Sequence, residues 1–277
     1  MIGSELKGPQ EWAAFVNHVL ETAFGEERFP VSIVDVATML TPRLFPEDPI
    51  SIVQGANLDG VDGILVPDPR QKKGWGIFFN SSVPSRRRIR FTLGHEFGHY
   101  LLHRHRHPDG FRCGDREISI LEKTSRIEEE ADTFSANFLM PPADLQRQIA
   151  PEEFTNLSML SFCADRYGVS LQAMIRQWLR ITRRRAMLVV SRDGRILWSE
   201  ASETMRQSGV RLQNSRVVPE QSLAVNPDLT NYPREGIPLP TGSWFNEEET
   251  VEMMVASEQY HFTLSLLHLD LGDVVTP

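Results

Sequence analysis

The stretch Arg90-Phe-Thr-Leu-Gly-His95-Glu96-Phe-Gly-His99-Tyr-Leu-Leu-His103 reads as a helix that carries His-Glu-x-x-His. Histidines four apart stand one above the other on a single helical face, with Cβ atoms about 5–6 Å apart. Two imidazoles at that separation can each reach one ion at the usual Zn–N distance of about 2.0–2.1 Å. Glu96 lies about 100° around the helix from His95 and about 60° from His99, so it can lean over the same ion without binding it. The role expected of it is general base: it takes a proton from water at the ion and later gives one to a leaving amine. The plain alternative is a surface helix that happens to hold two histidines. Its flanks argue otherwise, because Phe91, Leu93, Phe97, Leu101 and Leu102 are apolar. Polar residues on a buried helix are costly unless something satisfies them.

A catalytic zinc takes three protein ligands and keeps a fourth position open. The third ligand is sought in Glu128-Glu129-Glu130-Ala131-Asp132, which leads into Thr-Phe134-Ser-Ala-Asn-Phe138-Leu-Met-Pro. Ile127, Ala131, Phe134 and Phe138 form a core-facing helical stripe. Glu129 falls opposite that stripe, on a solvated face. Glu128 and Glu130 flank it, and phase alone does not choose between them. Asp132 sits one turn on from Glu128 and on the same side, where it can accept the free ring N–H of a ligand histidine. That favours Glu128.

Two blocks, Phe91 to His103 and Glu128-x-x-Ala131-Asp132-x-Phe134-Ser-Ala-x-Phe-Leu-Met140-Pro141, together resemble the signature of the ImmA/IrrE family of zinc metallopeptidases. The family's ligand glutamate matches Glu128. Gly94, Ser135 and Phe138 depart mildly from the family pattern, and none of these departures removes a ligand or the base. With the strands before it, the resemblance covers roughly the first half of the chain. It implies a zincin-like domain with Zn²⁺ on His95, His99 and Glu128, and Glu96 as the base.

The 277 residues are 40% hydrophobic and 24% charged, with a net charge of −8. That is an ordinary globular composition, long enough for one large domain or two to three smaller ones. No run approaches the 18 or so apolar residues of a membrane span. The start, Met1 to Pro9, lacks the basic-then-apolar pattern of a signal peptide. The two cysteines, Cys113 and Cys163, are far apart with no Cys-x-x-Cys. Reduced thiols in the cytoplasm are therefore expected. Cys113 is near enough to the motif in sequence to be weighed as a stray ligand.

The fold expected is α+β, in three parts. Residues 1–145 form the metallopeptidase domain. In it, a helix from Pro9 to about Phe24 and a second from Pro30 to Leu40 precede strands at Ile50–Leu58, Gly63–Val66 and Gly76–Asn80. These strands are read as a small antiparallel sheet, with Gly76–Asn80 a candidate edge for an extended substrate. Arg86-Arg87-Arg88 and Arg90 lead into the motif helix; solvation is preferred to a nucleic-acid contact for them. His103, His105 and His107 follow the motif, and His103 is the best candidate among them to steady an oxyanion or support the site. Pro108–Ile120 is read as a loop over the site.

Residues 146–184 form a helical unit, with helices expected at Pro142–Ile149, Glu152–Tyr167 and Ser170–Arg180. Its short turn and its Arg176, Arg180, Arg183, Arg184 and Arg185 outline a helix-turn-helix. A plain helical support is preferred to direct DNA binding. Residues 185–277 form a C-terminal α+β unit, with a hairpin turning at Asp193-Gly194, a proline-bearing loop from Val217 to Gly242, and paired strands at Thr250–Ser257 and Tyr260–Asp270. Longer IrrE-like relatives carry a sensor-like, GAF-like domain at this point. His261 and His268 are read as structural.

The expected function is metal-assisted peptide hydrolysis. By resemblance, the substrate is a helix-turn-helix repressor whose cleavage derepresses genes of a stress response such as DNA damage, or of a mobile element. Two other readings remain: a non-proteolytic, zinc-stabilised regulator that binds DNA or protein, and the peptidase partner in a toxin–antitoxin or phage-defence pair.

Overall fold

A computed structural model describes residues 8–68, 70, 73–114, 126–225, 234–257 and 261–269. The chain divides into two compact units, Met1–Pro141 with Asp165–Ser170, and Pro142–Ala164 with Leu171–Pro277. Residues 146–184, expected to stand as a unit of their own, are thus shared between the two.

The first unit opens with helix α1 (Pro9–Phe24), a 3-10 turn at Gly25–Arg28 and helix α2 (Ile33–Leu44). Strands β1 (Ile50–Ala56), β2 (Val61–Pro67) and β3 (Trp75–Asn80) follow. Then come helix α3 (Arg86–His103), strand β4 (Phe111–Gly114) and helix α4 (Arg126–Leu139). The sheet order is β1-β3-β2-β4. It is mixed rather than antiparallel, because β1 and β3 run parallel. The reason is topological: β3 inserts between β1 and β2, and a strand that pairs antiparallel with β2 then runs alongside β1. This also places Gly76–Asn80 inside the sheet, so it cannot serve as an edge. Among the described strands the edges are β1 and β4, and β4 lies within the stretch expected to be loop. Residues 115–120 of that stretch fall outside the described residues.

Ser85 caps α3 by accepting the Arg88 N–H at 3.2 Å. From Thr92 to Leu101 every residue of α3 is buried. A helix enclosed on all sides shows no amphipathic stripe, which is why its apolar pattern is diffuse. Its arginines serve this unit. Arg88 donates to Asp62 (2.7 and 3.1 Å), Arg87 pairs with Asp165 (2.5 Å), and Arg90 donates to the carbonyls of Tyr167 and Gly168.

α3 packs on α4 through its glycines. A Cβ at Gly98 would lie 3.1 Å from Phe134 Cδ1 and 3.2 Å from Ala131 Cα; one at Gly94 would lie 2.5 Å from Ser135 Oγ. Around this seam Phe97 meets Phe134 and Phe138 edge-on, with ring centroids 5.6 and 5.8 Å apart. Buried Asn17 of α1 donates its side-chain amide to the carbonyls of Asn137 and Phe138 (3.2 Å each), satisfying the end of α4.

In the second unit, helices α5 (Pro142–Gln148), α6 (Leu157–Tyr167, whose last turn groups with the first unit) and α7 (Leu171–Leu179) come first. α6 starts later than the expected Glu152, because Asn156 accepts the Met159 N–H at 2.8 Å and sets the N-terminus there. Strands β5 (Ala186–Arg192) and β6 (Arg195–Ala201) form the expected hairpin. Asp193 and Gly194 both have positive φ, 49° and 72°, as a two-residue hairpin turn requires. A short helix α8 (Glu203–Gln207) precedes β7 (Ile237–Leu239), β8 (Thr250–Ser257) and β9 (Phe262–His268).

The second sheet is antiparallel throughout, in the order β6-β5-β9-β8-β7. The proline-bearing stretch expected to be loop therefore contains β7. Pro238 is tolerated there because β7 is an edge strand. Val189, Met205, Trp244, Phe245 and Leu267 fill one core. His268 is fully buried, with its ring 4.7 Å from Phe154 and 5.5 Å from Trp178. The arginines of the helix-turn-helix outline are engaged inside this unit: Arg176 with Glu200 (2.5 Å), Arg183 with Glu152 (2.5 Å) and Arg185 with Glu248 (2.8 Å).

The glycine seam predicts a specific rescue. Gly94→Ala should destabilise the protein by about 1–3 kcal/mol through overpacking. Gly94→Ala with Ser135→Ala should recover much of that loss, since the nearest remaining atom of residue 135, Cβ, is at 3.4 Å. Urea unfolding of the two variants and of Ser135→Ala checks this. Additive losses would contradict the seam.

Candidate metal centre

α3 and α4 bring three donors together. His95 Nε2 and His99 Nε2 are 2.9 Å apart. Glu128 sets Oε2 at 3.2 Å from the first and Oε1 at 3.3 Å from the second. The two histidines are fully buried, while Glu128 keeps 33% of its side chain exposed. Among the described residues, His95, His99 and Glu128 form the one group of histidine, cysteine and carboxylate side chains close enough to hold a metal ion. Glu129 is exposed on the opposite face of α4. The side chain of Cys113 is not among those described.

The outer partners decide where the ring protons sit. His95 Nδ1 lies 2.8 Å from Asp132 Oδ1, and a carboxylate only accepts, so the proton belongs on Nδ1 and Nε2 is left bare. His99 Nδ1 meets His103 Nδ1 at 3.1 Å, and His103 Nε2 meets Glu130 Oε2 at 3.1 Å. Donation then runs outward, from His99 to His103 and from His103 to Glu130. Burial pushes the His99 imidazole down to about 4, so that it stands neutral at pH 7, and burial lowers His103 too. Burial works to raise the Glu128 carboxyl, but its contacts with His95 and His99 outweigh that and hold it well below the usual range. Two bare nitrogens and a carboxylate thus face one another in a nearly dry place. That donor set fits a cation.

Phe111 of β4 stacks on His99, with centroids 4.1 Å apart and planes at 18°, and fixes the plane of that ring. The ring of His107 lies 4.8 Å from that of Phe111. His103 is buried and turned between His99 and Glu130, so its contacts are those of a supporting residue. His105 lies exposed, away from this cluster of contacts.

Glu96 is fully buried on α3, with its carboxylate against β2. A Cβ on Gly63 would stand 2.6 Å from Glu96 Oε1 and 2.6 Å from Thr92 Cγ2. Sequence reasoning passed over Gly63. The signal was present, since an isolated glycine inside a strand marks a close approach of backbone to something else.

A His-Glu-x-x-His helix completed by a carboxylate from a second helix has the donor set of a metallopeptidase-type centre. Residues 56–178, from the end of β1 to α7, match the family model Peptidase_M78, the IrrE N-terminal-like domain. Over a longer span, the fold is similar to that of a Mycobacterium tuberculosis transcriptional regulator. The TM-score is 0.53 and the identity 15%, with 91% of this chain and 76% of that one covered. No curated protein matches the chain. No helix among the described residues is long and apolar enough to cross a membrane.

The geometry separates Glu128 from Asp132 on α4. With Zn²⁺ as the probe and a chromophoric chelator as competitor, Glu128→Ala should abolish measurable binding. Asp132→Ala should weaken it by about 10–100-fold. Equal affinities for the parent and Glu128→Ala would remove Glu128 from the ligand set.

Proposed function

We propose that this protein is a cytoplasmic zinc-dependent endopeptidase that cleaves a helix-turn-helix transcriptional repressor and so derepresses stress-response or mobile-element genes. The observation that carries the reading is the convergence of His95, His99 and Glu128 beside the buried carboxylate of Glu96. A zinc ion held there supplies Lewis acidity, bringing water within reach of deprotonation near pH 7 and polarising a carbonyl. His95 and His99 would hold it through Nε2, their rings oriented from behind by Asp132 and His103. Glu96 takes the proton of the attacking water on its carboxylate and passes it to the leaving nitrogen. Gly63 lets β2 come close enough to hold that carboxylate in place and keep bulk water out. On the β2 side the edge of the described sheet is β4, where an extended peptide would pair by its backbone close to His99. The second unit, an antiparallel sheet with its own core, is read as sensor-like and as the part that conditions activity.

A non-proteolytic regulator is the second reading, and it draws on the regulator that shares the fold. A purely structural ion has no use for a base such as Glu96. Arg176, Arg183 and Arg185 are also already paired with carboxylates, which leaves less positive charge for phosphates.

The test pairs cleavage with metal content, using as substrate a purified helix-turn-helix repressor, chosen from the reading frames next to this gene where one encodes such a protein. Glu96→Gln should keep its zinc and lose about 10²–10⁴-fold in rate. Gly63→Ala should also keep the metal while slowing cleavage, and His99→Ala should lose both. Unchanged cleavage by Glu96→Gln would rule out the assigned base.

A further inference from the structure

His99 and His103 meet Nδ1 to Nδ1 at 3.1 Å, a contact that holds only when one ring donates and the other accepts. With one proton on each ring, two arrangements satisfy it. In the first, His99 donates from Nδ1 and leaves Nε2 bare toward His95 and Glu128, while His103 carries its proton on Nε2. In the second, His103 donates from Nδ1, and the proton of His99 sits on Nε2, pointing into the ligand cluster. Only the first can bind a metal through His99. The contact between the two rings is the same in both, so nothing within the pair prefers either.

Glu130 breaks that symmetry. Its Oε2 lies 3.1 Å from His103 Nε2, where it accepts a hydrogen bond in the first arrangement and faces a lone pair in the second. Its Oε1 accepts from Arg126 Nε at 2.7 Å, one turn earlier on α4. A cavity of about 370 Å³ lined by Leu102, Arg106, Arg126 and Glu130 lies at this outer end. The carboxylate is therefore half-buried and anchored on one side, with its other oxygen aimed at His103.

We propose that Glu130 is a positioning residue that selects the metal-binding tautomer of His99 through His103, with Arg126 holding its carboxylate in place. Asp132 does this for His95 by direct contact; the relay does it for His99 at one remove. The inference rests on reading His95, His99 and Glu128 as metal ligands.

The test uses the full chain stripped of metal. It reads Zn²⁺ affinity by chelator competition and the His99 tautomer by imidazole ¹⁵N NMR. Glu130→Ala should bind zinc about 10–100-fold more weakly and move His99 toward the Nε2–H form. Glu130→Gln keeps an oxygen that accepts from His103 Nε2 and should recover most of the affinity. In a His103→Phe background, Glu130→Ala should cause no further loss, because the link to His99 is already cut. The proposal is overturned if Glu130→Ala binds within twofold of the parent, if Gln is as weak as Ala, or if the losses from His103→Phe and Glu130→Ala add. A parent protein that takes up no zinc would instead remove the ligand reading itself, and the relay with it.

Discussion

Between His95, His99 and Glu128 there is no proton left to share. Asp132 draws one to the far side of His95, and the His103–Glu130 pair draws one to the far side of His99. The inward atoms are all acceptors, and they sit within 3.3 Å of one another. Acceptors gathered in this way around two buried rings suit a cation between them. The rest of the first unit keeps this cluster in shape. Gly94 and Gly98 let α4 approach α3, Asn17 satisfies the end of α4, and Phe111 holds the ring of His99 flat.

Much of this was legible from spacing. Residues four apart on a helix share a face, so the sequence alone pairs His95 with His99. The choice of Glu128 over Glu130 rested on Asp132 one turn on; in the structure Glu128 faces His95 and His99, Asp132 faces His95 and Glu130 faces His103. The role of Glu130 was not legible, because it depends on which ring nitrogen His103 presents, and no pattern of residue types encodes that. Gly63 was marked by its place in a strand, but what approached it lies 33 positions away on another element.

The sheet was harder to read. Hydrophobic runs locate strands but not their neighbours. The insertion of β3 between β1 and β2 reverses one pairing without changing any run. Strand β4 is four residues long, and β7 has three, one of them a proline; neither is long enough to show alternation. The basic runs gave a clearer lesson. Arg86 to Arg90 and Arg176 to Arg185 both suggest phosphate binding when counted as charge. Their partners, Asp62 and Asp165 in one unit and Glu152, Glu200 and Glu248 in the other, are scattered along the chain and come close only on folding.

X-ray absorption at the zinc edge of the purified protein tests the ligand cluster most directly. The account predicts one zinc per chain, with two imidazole nitrogens at about 2.0–2.1 Å and oxygen donors completing the shell. A protein that retains no metal and takes up none when zinc is supplied, or a shell dominated by sulfur at about 2.3 Å, would contradict it.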